Sequence, residues 1–113
     1  MNITQIRQFL KLTESLNFTQ AAKESGVTQP TLTRSIQRLE EQLGGQLLFR
    51  DGKDTRLTTL GMAVRSEFEA ILRSEEKIHS IALSNKYGNL DKLSLGIVSS
   101  ITPMQLSPLS SAQ

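Results

Sequence analysis

Between Thr28 and Arg34 the chain sets Thr, Gln, Pro, Thr, Leu, Thr and Arg in direct succession. Hydroxyls, a carboxamide and a guanidinium are donors and acceptors of hydrogen bonds, and the guanidinium also carries a fixed positive charge. The chemistry on offer is therefore recognition by hydrogen bonding. Covalent catalysis has little to work with: there is no cysteine, and the only histidine is His79. Asp51 and Asp54 fall in a Gly-containing turn, so they form no buried acid pair, and no phosphate-cradling glycine loop is present. No enzyme, metal site or cofactor is expected, and His79 is expected to be exposed or at an interface.

These groups need a scaffold. Asn2 with Gln5, and Asn17 with Gln20, repeat the pattern of an N-cap and its reciprocal partner. After Asn2, the residues Ile3, Ile6, Phe9, Leu10 and Thr13 recur at helical spacing, which predicts a helix over about 3–15. After Asn17, a helix of barely two turns puts Phe18, Ala21, Ala22 and Ser25 on one face, and Gly26 ends it where a left-handed residue is needed. Thr28 caps a third helix with Pro30 in its first turn, and Leu32, Ile36, Leu39 and Leu43 form its apolar stripe up to Gly44. At about 100° per residue, Pro30, Arg34, Gln37 and Glu41 lie opposite that stripe, with Thr31, Thr33 and Arg38 on its flanks. The expected core is Phe9, Leu10, Phe18, Ala21, Val27, Leu32, Ile36, Leu39 and Leu43.

From Gln46 to Thr58 the pattern changes to two brief strands around an Asp51-Gly52-Lys53-Asp54 turn, with Arg50, Lys53 and Arg56 as basic residues. A long helix then begins near Thr58 or Thr59 and runs to about Gly88. Its apolar positions, including Leu60, Val64, Phe68, Ile71, Leu72, Ile78 and Ile81, exceed what so small a head can cover, so it calls for a partner helix. Leu93, Leu95 and Ile97 alternate as in a strand that would need a sheet to join.

The 113 residues, 37% of them hydrophobic, suffice for one small helical core. The net charge of +2 is unevenly placed: residues 1–65 hold nine Lys/Arg against six acids, and the rest holds four against five. No apolar run has bilayer-spanning length and the N-terminus is too polar for a signal peptide, so a soluble cytoplasmic protein without a membrane partner is expected. A short helix, a glycine turn and a second helix with Thr, Gln and Arg outward is a helix-turn-helix arrangement, and the basic hairpin makes a winged version. A plain three-helix bundle with a polar outer face would satisfy the same pattern.

The segment from Phe18 to Thr58 resembles the N-terminal domain of LysR-type bacterial transcriptional regulators. The shared features are Ala21 and Ala22, Gln29 and Pro30, Ile36, Gln37, Leu39 and Glu40, Leu43 and Gly44, Arg50, then Leu57, Thr58 and Gly61. The chain departs at the wing, with Leu48 and Phe49 where the family usually has a Phe and a polar residue before the arginine.

The resemblance implies a mainly α winged helix-turn-helix domain at 1–58, made of a three-helix core and a two-stranded wing. It implies a linker helix at 59–88 that pairs antiparallel with another subunit's, and the hinge and first strand of an effector domain at 89–113. Ligand sensing and the higher oligomer it supports are then expected to be missing, and 93–113 to be mobile. The expected partners are double-stranded DNA, a second copy of the chain, and RNA polymerase as part of the machinery recruited or blocked.

In this setting Thr28, Gln29, Pro30, Thr31, Thr33 and Arg34 occupy the half of the recognition helix that enters the major groove. Gln29 suits adenine, Arg34 suits guanine, and Pro30 or the Thr31 methyl suits a thymine methyl. Thr19, Gln37 and Arg38 suit phosphates, as do the wing residues Arg50, Lys53 and Arg56. Arg56 could instead form a surface pair with Asp54. Glu40 is expected to be structural, bridging to a basic residue of the wing. Val64, Phe68, Ile71, Leu72, Ile78 and Ile81 are the expected dimerisation positions. A competing reading is that the chain acts through this helix, pairing with intact regulators and inhibiting them.

Overall fold

The structure, a computed structural model, describes residues 1–51 and 54–88. The element order is α1 (Ile3–Ser15), α2 (Phe18–Ser25), α3 (Gln29–Leu43), β1 (Leu48–Asp51), β2 (Asp54–Leu57) and α4 (Thr59–Lys86). The middle of the expected wing turn, Gly52 and Lys53, and the expected strand beyond residue 88 lie outside the described residues.

Each of the first three helices starts at a polar cap. Asn2 accepts the Gln5 N–H at 2.8 Å while the Gln5 side chain accepts the Asn2 N–H at 3.2 Å, a complete capping box. Asn17 accepts the Gln20 N–H at 2.9 Å, and Thr28 accepts that of Thr31 at 3.3 Å. The ends are equally local. Gly26 and Gly44 adopt left-handed φ values of 72° and 76°. Past them the Val27 N–H returns to the Ala22 carbonyl and the Gly45 N–H to the Glu40 carbonyl, which occupies a carbonyl in the last turn of α2 and of α3. Leu16 takes the same conformation at φ 53° without being glycine, a strained state. Its side chain packs half-buried against the core, which offsets part of the cost.

Met1–Leu72 is one compact unit. Its centre is Phe9 and Leu12 of α1, Leu32, Ile36 and Leu39 of α3, and Leu47, all fully buried. Ala21 is fully buried too, and its small side chain lets α2 approach its neighbours closely. Leu10, Phe18, Val27 and Leu43, expected in the core, pack half-buried at its edge. Leu12 and Leu47 are absent from the expected core. Leu12 lies three residues after Phe9 on the inner face of α1. Leu47, just past the glycine pair, is tied by its backbone to Glu40 and Thr58, partners distant in sequence, and no local period reveals its burial.

The long helix contributes to the same core. Phe68 is 4% exposed and meets the Phe9 ring edge-to-face, with centroids 5.6 Å apart at 82°. Val64 and Leu72 pack half-buried against the cluster. These three expected dimerisation residues are therefore engaged within their own chain, because the inward side of the first turns of α4 closes the head domain. Ile71 remains exposed. In the second unit, which begins at Arg73, the described residues are helical to Lys86, and Ile78, His79, Ile81, Leu83 and Tyr87 are exposed. Among the described residues no helix is long and apolar enough to cross a membrane.

Candidate nucleic-acid interface

The α2–turn–α3 unit presents one face of α3. Thr28, Gln29, Pro30, Thr31, Arg34, Gln37 and Arg38 are exposed and Thr33 is half-buried, while Leu32, Ile36 and Leu39 point into the core. This division is the helical period made physical: residues three and four apart share a face. Gln29, Pro30, Thr33 and Arg34 line one open recess on the exposed side. Thr28 donates its hydroxyl to that of Thr31 at 2.9 Å, which fixes both side chains at the start of the helix.

Thr19 does not stand apart from this surface. Its hydroxyl donates to the Gln29 side-chain oxygen at 3.1 Å, tying the first turn of α2 to the first turn of α3. The Gln29 oxygen keeps a second lone pair and the amide keeps two N–H donors, so the orientation leaves its bidentate capacity available.

The wing joins α3 through Glu40. This residue bridges to the backbone of the wing: one carboxylate oxygen accepts the Leu47 N–H at 2.8 Å and the Leu48 N–H at 3.4 Å. The reason is geometric. The chain entering β1 passes alongside the last turns of α3 with N–H groups that need an acceptor, and a carboxylate satisfies both.

The two strands pair antiparallel with Leu48 opposite Leu57, Phe49 opposite Arg56 and Arg50 opposite Thr55. Alternation sends Leu48 inward, 2% exposed, and Phe49 outward, 43% exposed. At the far side of the hairpin Thr58 donates to the Gln46 carbonyl at 2.6 Å and accepts the Gly61 N–H at 2.9 Å. Gly61 lies so close to the Leu47 carbonyl oxygen that no side chain could occupy that space.

The wing cations stand over aromatic faces. The Arg50 guanidinium lies 4.3 Å from the centroid of Phe18, and that of Arg56 lies 5.5 Å from the centroid of Phe49. Sequence reasoning placed Phe18 in the core and assigned Arg50 to phosphate, with no sign that the two meet; their contact spans elements more than thirty residues apart. Lys53 lies outside the described residues. Among the described residues no cluster of His, Cys, Asp or Glu could hold a metal ion.

The family profile described as "Bacterial regulatory helix-turn-helix protein, lysR family" matches residues 3–62, more than half of the chain. The chain belongs to the LysR family. Among curated relatives, the HTH-type transcriptional regulator EstR of Acinetobacter baylyi is 35% identical over 108 residues, which is 96% of this LysR-family chain and 36% of that protein. The chain spans about a third of the length of the curated relatives it matches. Two crystal structures share the fold. The DNA-binding domain of BenM in complex with benA site 1 DNA is 32% identical with a TM-score of 0.74, covering 78% of this chain and 99% of that one. The CbnR DNA-binding domain in complex with DNA is 31% identical with a TM-score of 0.73, covering 76% and 99%. The four helices and two-stranded wing of the LysR-family chain are thus a winged helix-turn-helix, as the sequence pattern predicts.

Proposed function

We propose that this chain is the DNA-binding part of a LysR-type transcriptional regulator, with α3 as its recognition helix. The observation that carries the reading is the exposed start of α3, where Gln29, Pro30, Thr31 and Arg34 stand on a helix whose opposite face is fully buried. Such a helix is rigid enough to place donors against base edges in the major groove. Relatives support the assignment, since the BenM and CbnR domains of the same fold were solved on DNA.

In this reading Gln29 pairs with adenine and Arg34 with guanine, while Thr19, Gln37 and Arg38 meet phosphates. The wing, with Arg50, Lys53 and Arg56, lies along the neighbouring backbone and minor groove. The complex recruits or blocks the transcription machinery.

Two copies pairing through α4 would bring two recognition helices to successive major grooves, so the target would be an inverted repeat with half-sites about one helical turn or a multiple apart. The exposed Ile71, Ile78 and Ile81 favour that pairing. The test is selection of bound duplexes from a randomised pool at about 0.15 M salt. An enriched inverted repeat supports the dimeric reading, an enriched single half-site supports DNA reading without pairing, and no enrichment at all overturns it.

The same exposed row carries a second reading, in which the chain pairs with intact regulators and inhibits them. Loss of inhibition in Ile78→Asp with retention in Arg34→Ala would favour it; the reverse would exclude it.

A further inference from the structure

Arg50 leaves β1 opposite Thr55, yet its guanidinium rests on a residue of a different element, the Phe18 ring at the start of α2. The ring is itself held in place. Phe18 is half-buried and packs against the core cluster, directly after the Asn17 cap and directly before Thr19. A second aromatic–cation pair in the wing, Phe49 with Arg56, lies within the hairpin; the Phe18–Arg50 pair joins the hairpin to the helix-turn-helix.

Two properties of the guanidinium give this contact a consequence. Its five N–H donors point outward from the central carbon, so a guanidinium held over a ring keeps donors available for an anion. Its long side chain also has many rotamers, and binding an anion from a free state costs their entropy; a side chain already held has lost part of that freedom beforehand. An arginine on the outside of a short two-stranded wing would otherwise have no reason to keep one direction.

Resting on the reading of this chain as a DNA-binding module, we propose that Phe18 is a positioning residue for phosphate binding: its ring presets the Arg50 guanidinium and couples the wing to the start of α2. Phe18 touches no nucleic acid in this arrangement. Its effect reaches DNA only through Arg50.

The test is a double-mutant cycle on the full chain, with mixed-sequence duplex DNA as the probe and affinity as the readout. Phe18→Leu is expected to weaken binding about 2- to 5-fold, the equivalent of the roughly 0.5 to 1 kcal/mol such a contact contributes at an exposed site. Arg50→Gln should weaken it at least as much. In the Arg50→Gln background Phe18→Leu should cost nothing further, and Phe18→Tyr, which keeps the ring, should bind as the unaltered chain does. Losses that simply add, or full affinity in Phe18→Leu, would overturn the proposal while leaving DNA binding intact. Failure of the unaltered chain to bind any duplex is a separate result, and it would remove the functional reading along with the proposal.

Should Phe18→Leu fail to fold, proton resonances decide the question in the unaltered protein. A ring-current shift upfield for the Arg50 side-chain protons is expected, lost in Phe18→Tyr only if the ring has moved; unshifted Arg50 protons in the unaltered protein would overturn the proposal.

Discussion

The Glu40 carboxylate, in the last turns of α3, accepts the Leu47 N–H at 2.8 Å, while its own backbone carbonyl accepts the Gly44 and Gly45 N–H groups. One residue thereby closes α3 and anchors the strand that follows. Position and orientation of the wing relative to α3 rest on this joint.

Glu40→Ala is accordingly expected to cost about 1 to 3 kcal/mol, the penalty for leaving N–H groups at a buried residue without an acceptor. Glu40→Gln, which keeps one acceptor oxygen, should cost less. Urea denaturation of the three proteins checks the order, and an alanine variant as stable as the unaltered chain would remove Glu40 from this role.

Gly61→Ala introduces a methyl group where the Leu47 carbonyl oxygen already stands. Backbone cannot rotate out of the way as a side-chain end can, so the loss should fall toward the upper part of the range for overpacking, about 1 to 3 kcal/mol. In an ordinary helix the same change would be mildly stabilising. A thermal melt therefore distinguishes the two by sign.

Arg34→Ala, at an exposed position on α3, should leave stability nearly unchanged. It should weaken binding to the preferred duplex by about 1 to 3 kcal/mol and relax preference at one base pair. Repeating the duplex selection with the variant shows which; an equal loss on every sequence would rule out the base contact.

Arg38→Ala should weaken binding to all duplexes alike and make the dependence of log affinity on log salt shallower by about one unit, as expected for one lost phosphate contact. An unchanged slope would mean that Arg38 is only solvated.

Ile78 is 63% exposed, so Ile78→Asp removes little from the folded single chain. If α4 pairs with a second copy, the variant should sediment as a monomer at concentrations where the unaltered chain sediments as a dimer. Identical sedimentation of both proteins would count against pairing through this position.

Local chemistry made much of this architecture legible in advance. Asn2, Asn17 and Thr28 start helices because their side chains reach N–H groups three residues on, and Gly26 and Gly44 end them because glycine enters the left-handed region freely. All of these signals act within a few residues. The stripe through Leu32, Ile36 and Leu39 follows from the helical period alone, which is why the exposed set from Gln29 to Arg34 could be named from sequence. The wing pattern around Asp51 and Asp54 was visible for the same reason, in the switch from helical to alternating periodicity.

What the sequence by itself determined is thus every element whose cause is local: caps, ends, periods and the outward face of α3. Only the tertiary structure decided which long-range partners the remaining residues find. Phe68 becomes the neighbour of Phe9, Glu40 accepts the backbone N–H groups of Leu47 and Leu48, Leu47 is fully buried, and Arg50 comes to rest on Phe18. The physical reason is that burial and stacking are non-directional along the chain: they reward whichever surfaces meet, and meeting is set by how all the elements pack together.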